Sequence, residues 1–241
     1  MKFQGSKSRI ARDILPIILK GRGKDQWYVE PFAGGMNTVQ YVGGKVIASD
    51  ANEYLIAMWR ALQDGREFPR SISKSDYNFQ RALWHNGIGD KAMIGWVGFM
   101  ASFNGRFFCG GYSGHEVKVN GGTRDYITES ICNIMRQVPK IGNVTFLSSD
   151  YKALLIPPHS IIYCDPPYKG RKDYDCKIDH EAFWQWCREK AAEGHRVYVS
   201  EYEAPKDFKC VWAKKTIVSM HQRNTKRPTE KLFTIKQNNN V

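Results

Sequence analysis

Within IIYCDPPYKG, the four residues Asp165-Pro166-Pro167-Tyr168 join an acid, two backbone-locking rings and an aromatic face. Proline fixes φ and restricts the residue before it, and its nitrogen cannot donate a hydrogen bond. The Asp165 carboxylate and the Pro166 carbonyl are therefore two acceptors on one stiff arm. Such a pair suits a group with two N–H donors, which describes an exocyclic amine. The amine of adenine is a poor nucleophile that gains positive charge as it attacks an electrophile. Acceptors placed where that charge develops stabilise the transition state more than the ground state. Tyr168 adds a flat face on which a base can stack, worth ~1–3 kcal/mol. Plain loop stiffening at a strand end is the competing reading of these four residues taken alone.

A second stretch, WYVEPFAGGMNT at residues 27–38, runs from an apolar strand through an acid and a proline to Gly34 and Gly35. Glycines here let the backbone approach a ligand at the carboxyl end of a strand, where open α/β sheets bind theirs. The following segment, KVIASD, ends in Asp50. An acid at the tip of the second strand accepts hydrogen bonds from a ribose, so the pair points to an adenosine-containing cofactor. Singly, the glycines read as a tight turn and Asp50 as a helix cap or an exposed charge. The triphosphate-wrapping pattern G-x-x-x-x-G-K-[ST] is missing, which disfavours nucleotide hydrolysis.

Positioning these groups requires a sheet. Short β-branched runs at 27–29, 45–49, 144–147, 161–164, 196–200 and 210–213 alternate with amphipathic segments at 8–19, 54–62 and 180–193. That alternation predicts a mainly parallel α/β sheet with helices on both faces. Residues 75–84 form a further expected helix, and Asp179 is placed to cap the helix that follows it. From about residue 61 to 140 the strand rhythm stops and the chain becomes rich in glycine and aromatics. An inserted, mainly helical and hairpin subdomain is expected there, with 1–60 and 141–241 forming the catalytic domain. Phe99, Phe103, Phe107, Phe108 and Tyr112 read mostly as core filling within the insert.

The 241 residues are 42% hydrophobic, enough for one sizeable core. Lys and Arg number 36 against 24 Asp and Glu, and the resulting charge of +12 favours polyanionic partners. The N-terminal stretch lacks the apolar core of a secretory signal, and no later stretch approaches the ~20 apolar residues of a membrane span, so a cytoplasmic location is expected. Six cysteines without a C-x-x-C pair read as reduced thiols, and the six histidines show no ligand spacing, so no metal is expected.

Together these stretches resemble the Dam-like, alpha-group (D12 class) DNA adenine-N6 methyltransferases, which use S-adenosylmethionine. FQGSK at 3–7 is similar to the family's aromatic-x-G-[GS]-K segment, VEPFAGG to its cofactor turn, Asp50 to its strand-two acid, FLSSDY at 146–151 to the segment cradling the cofactor's adenine, and DPPY to its catalytic motif. The resemblance implies a Rossmann-like methyltransferase sheet and catalytic roles for Asp165, Pro166, Pro167 and Tyr168. It implies cofactor contacts from Phe3, Lys7, Glu30, Phe32, Ala33, Gly34, Gly35, Asp50, Asp150 and Asp165. It also implies a target adenine flipped out of double-stranded DNA, because a stacked base cannot present its amine. Met36 and Asn37 stand where many members carry a third small residue.

DNA contacts are expected from Lys2 and Arg9 near the N-terminus, from Asn104, Arg106 and Arg124 in the insert, and from Lys169 and Arg171 after the DPPY segment. Arg223, Lys226 and Arg227 form a further basic cluster. A bacterial or phage-infected cytoplasm and a solitary enzyme, monomeric or weakly dimeric, fit this reading. GATC is the resembled family's common target. Two alternatives stay open, N4-cytosine methylation and a DNA-binding regulator of the same fold without catalysis.

Overall fold

The computed structural model describes residues 1–119, 121–168, 178–215 and 229–236. In chain order the elements are α1 (Ala11–Ile18), β1 (Tyr28–Glu30), β2 (Val46–Asp50), α2 (Glu53–Gln63), α3 (Lys74–His85), α4 (Lys91–Met100), β3 (Val117–Val119), β4 (Gly122–Arg124) and α5 (Tyr126–Met135). There follow β5 (Val144–Ser148), β6 (Ile161–Cys164), α6 (His180–Ala192), β7 (Arg196–Glu201), β8 (Phe208–Lys215) and β9 (Thr229–Ile235).

Seven strands form one sheet in the order β5-β2-β1-β6-β7-β9-β8. The first five are parallel, and β9 pairs antiparallel with both β7 and β8. From β1 the chain moves outward through β2 to β5, then returns to the other side of β1 as β6. The order therefore reverses between β1 and β6, and the crevice at their carboxyl ends is where doubly wound sheets bind ligands.

Alternation along the strands separates two apolar layers. Tyr28, Val46, Ala48, Val144, Phe146, Ile161 and Tyr163 face α1, α2, α4 and α5. Val199, Val197, Ile162 and Cys164 face Phe183, Trp184, Trp186 and Cys187 of α6. This is the expected Rossmann-like α/β architecture with helices on both faces. All three residues of β1 are buried, as a central parallel strand requires.

The six expected strands all form. β9 was not anticipated, and its seven residues complete the sheet between β7 and β8. Three helices and the β3–β4 hairpin fill the irregular region, in line with a helical and hairpin insert. Its apolar residues, including Ile94, Trp96, Phe99, Phe108, Ile127 and Ile131, belong to the same buried cluster as α1, α2 and the sheet. All the helices but α1, which follows Ile10, start on ordinary side-chain caps. Asn52, Ser73, Asp90, Asp125 and Asp179 each accept a backbone N–H of their first turn, Ser73 within a capping box with Asp76. Asp179 is thus the cap expected from sequence. Of the aromatic group in the insert, Phe99 and Phe108 are buried, Phe107 packs against both and Tyr112 against Tyr77, whereas Phe103 is exposed.

Candidate active site

Two turns meet at the reversal point. The first leaves β1 as Pro31–Met36, with the Ala33 N–H donating to the Ser49 carbonyl at 2.9 Å and the Met36 N–H to the Ala33 carbonyl at 2.9 Å. Gly34 lies in the left-handed region at φ 47°. A Cβ on Gly34 would come within 2.7 Å of the Phe3 ring, and one on Gly35 within 2.7 Å of both Phe3 Cβ and Asn37 Nδ2, so Phe3 and Asn37 are the groups that need these glycines. Phe3 in turn stacks on Phe99 of α4 at 5.8 Å. The turn after the insert's Phe103 reaches the same place: Asn104 and Gly105 are both left-handed, and a Cβ on Gly105 would lie 2.3 Å from the Lys2 carbonyl oxygen. Met36 is fully buried and left-handed at φ 54°. Glycine adopts that conformation without strain, whereas here it is taken by a buried methionine.

Asp50 at the tip of β2 ties the turn to the next strand. One of its carboxylate oxygens accepts the Gly34 N–H at 3.0 Å and the other the Asn52 N–H at 2.9 Å. Each oxygen keeps a second lone pair, the acceptor set a ribose diol needs. Burial pushes the Asp50 carboxyl up, and the two backbone N–H bonds oppose that shift. Ser149 donates its N–H to the Asp50 carbonyl at 3.1 Å, which brings the end of β5 alongside. Asp150 is exposed there, and Phe32 packs on the neighbouring Tyr151 at 5.2 Å. The Tyr151 hydroxyl is buried with no hydrogen-bond partner among the described residues. The glycine turn, Asp50 and the Asp150–Tyr151 segment therefore line one edge, and the carboxylate acceptors of Asp50 and Asp150 fit the hydroxyls and amine of an adenosyl group.

Glu30 stays behind this edge. Its carboxyl is buried and accepts hydrogen bonds from the Tyr28 hydroxyl and from Thr38 Oγ1, the latter at 2.8 Å. Burial first, and the negative charge of Asp165 in addition, push it up to about 8, against the two hydroxyl bonds.

The second turn leaves β6, which pairs directly with β1. Asp165 is half-buried, and Pro166 and Tyr168 are buried. Lys7, from the N-terminal FQGSK segment, places Nζ 3.0 Å from Asp165 Oδ1 and 4.3 Å from the centre of the Tyr168 ring. Tyr202, just after β7, meets the Tyr168 ring edge-on at 4.7 Å. Sequence reasoning missed a further acid, Glu230 of β9. It accepts the Tyr168 hydroxyl at 2.7 Å and lies 3.6 Å from Lys7 Nζ. Burial and the charges of Asp165 and Glu230 push the Tyr168 phenol well up, so it stays a donor.

The residues expected on DNA fall in separate places. Lys2 and Arg124 converge on Glu129 of α5, at 2.8 and 2.7 Å, and both cations lie over the Tyr126 ring. Arg124 bonds first and Lys2 second in holding the Glu129 carboxyl down at about 2. This cluster borders a groove of about 490 Å³ lined by Thr123, Thr128, Cys132 and Arg136 among others. Arg9 is exposed on the N-terminal segment, and Asn104 and Arg106 are half-buried in the turn beside Lys2. Lys169, Arg171 and the cluster Arg223, Lys226 and Arg227 lie outside the described residues. Among the described residues no group of three or more His, Cys, Asp or Glu gathers as a metal site, and no helix is long and apolar enough to cross a membrane.

Among solved structures, the chain is similar to SMU.472, a proposed methyltransferase in complex with SAH, at 12% identity and a TM-score of 0.37. The match covers 95% of this chain and 52% of that one, so this chain spans about half the length of that protein. No curated protein matches it. Residues 3–84 match the family model described as D12 class N6 adenine-specific DNA methyltransferase. That stretch holds FQGSK, the glycine turn and Asp50, while the DPPY segment lies beyond it. Over about a third of its length, then, the chain carries the sequence signature of the D12 class N6 adenine-specific DNA methyltransferases.

Proposed function

We propose that this chain transfers a methyl group from S-adenosylmethionine to the N6 amine of an adenine flipped out of double-stranded DNA. One observation carries the reading: the glycine turn with Asp50 and the Asp165–Tyr168 arm stand side by side where the strand order reverses, at the ends of paired strands β1 and β6. Asp50 would hold the cofactor's ribose, with the turn at Phe32–Gly35 and the Asp150–Tyr151 segment around its adenosine. The cofactor supplies an electrophilic methyl group on a sulfonium.

The chain's own residues act on the amine. The Asp165 carboxylate and the Pro166 carbonyl accept its two N–H groups and stabilise the positive charge that grows on nitrogen. Pro166 and Pro167 keep the two acceptors in fixed relation. Tyr168 supplies the stacking face, which Lys7 covers in this structure, so base entry requires the ammonium to shift from that face. Phosphate contacts from Lys2 and Arg9, with Lys169 and Arg171, base reading by Arg106 and Arg124, and a further DNA contact from Asn104 complete the proposed DNA interface. A solitary cytoplasmic enzyme with a 61–140 recognition insert remains part of this proposal.

Replacing Asp165 tests it. Asp165→Ala removes one acceptor from the developing charge, and the methyl-transfer rate to duplex DNA should fall by about 10²–10³-fold or more with DNA affinity retained. Transfer at the wild-type rate would remove Asp165 from the chemistry.

A further inference from the structure

We propose that Glu230 is a positioning residue of this site, which holds the Tyr168 ring through its hydroxyl and shares the Lys7 ammonium with Asp165. The inference rests on the roles given above to Asp165 and Tyr168. Topology brings Glu230 there. β9 runs antiparallel to β7, with Glu201 opposite Lys231, so the first residues of β9 arrive at the carboxyl edge where β6 ends. Some sixty residues of chain separate Tyr168 from Glu230, yet Tyr168 Oη and Glu230 Oε2 are 2.7 Å apart.

The contacts divide the work. The hydroxyl bond pins the far end of the Tyr168 ring, while Lys7 on its face and Tyr202 at its edge fix its plane. The charge argument concerns Lys7. An ammonium paired with Asp165 alone cancels the negative charge that a reacting amine needs. Lys7 Nζ lies 3.0 Å from Asp165 and 3.6 Å from Glu230, so two carboxylates share one ammonium and the trio stays net negative. The Lys7 and Glu230 side chains are only 8% and 14% exposed, so water screens these charges weakly. Glu230 also gives Lys7 a counter-ion to move toward when a base displaces it from the Tyr168 face.

Two variants of the full chain separate the roles. Glu230→Gln keeps an acceptor for the Tyr168 hydroxyl and removes the charge, whereas Glu230→Ala removes both. The turnover rate kcat should fall about 10-fold in Glu230→Gln and about 100-fold in Glu230→Ala, the scale of a hydrogen bond to a charged group. The KM for cofactor and for DNA should stay within about threefold, and the thermal midpoint within a few degrees. A wild-type kcat in Glu230→Gln overturns the shared ammonium. A wild-type kcat in Glu230→Ala, or a loss accounted for by KM or by unfolding, overturns the whole proposal. A fluorotyrosine at position 168 reads the contact without turnover. Its ¹⁹F resonance should move in both variants, and an unmoved resonance in Glu230→Ala overturns the contact whatever the activity. If the wild-type chain transfers no methyl group, the proposed function fails, and the resonance still decides the Glu230 contact.

Discussion

Glu30 stands just behind the proposed cofactor edge, and burial alters its ionisation strongly. Its carboxyl is pushed up to about 8 in the fold from 4.5. The folded state therefore keeps a proton that the unfolded chain has lost across that window, and stability falls as pH rises from about 4.5 to about 8. Glu30→Gln keeps the acceptor for Tyr28 and removes the titration. The thermal midpoint of the wild type should fall by several degrees more than that of the variant between about pH 5 and about pH 8. Equal slopes would mean that Glu30 ionises in the fold as it does in water. At this scale the site was partly legible. Asp165, Pro166, Tyr168 and Asp50 stand out because residue type and position after a strand announce their chemistry. The inward-facing role of Glu30 was not legible, since its identity as an acid says nothing of Tyr28 and Thr38 closing over it. Glu230 was hidden for another reason: an antiparallel strand about sixty residues later brings it in, and no local pattern records that return.

Among the elements, α4 links the 61–140 region to the glycine turn, through Phe99 stacked on Phe3. Its sequence KAMIGWVGFM is apolar almost all round, and residues 94–100 are buried, so the periodicity that marks a surface helix is missing. Two glycines inside it read as loop signals, yet packing explains them. A Cβ on Gly95 would lie 2.1 Å from the Tyr54 carbonyl oxygen of α2, so the two helices touch through backbone. Helix propensity alone favours Gly95→Ala by ~1 kcal/mol. Overpacking should win, and the variant should lose about 1–3 kcal/mol in urea unfolding. A gain in stability would show that α2 and α4 can move apart at no cost. By contrast α5, also unassigned from sequence, does carry the ordinary signature, with Asp125 as cap and Ile127, Ile131 and Ile134 at helical spacing. The strand TEKLFTI of β9 was not anticipated, although its β-branched and aromatic residues carry a strand's composition.

At the scale of the whole molecule, the sheet makes the site by reversing its strand order between β1 and β6. The alternation of strands and helices foretold a parallel sheet with two covered faces, and the two ligand turns were expected at its carboxyl edge. Pattern alone does not place β6 beside β1, because strand order comes from long-range pairing. The +12 charge gives the molecule a long-range attraction for a polyanion, and Lys2 and Arg124 gather at one groove beside α5. These features support the proposed methyl transfer to adenine in DNA. Incubation of the full chain with duplex DNA and methyl-labelled S-adenosylmethionine, followed by digestion to nucleosides, tests that claim most directly. The account predicts label in N6-methyl-2′-deoxyadenosine. Label in N4-methylcytosine, or none in DNA at all, would contradict it.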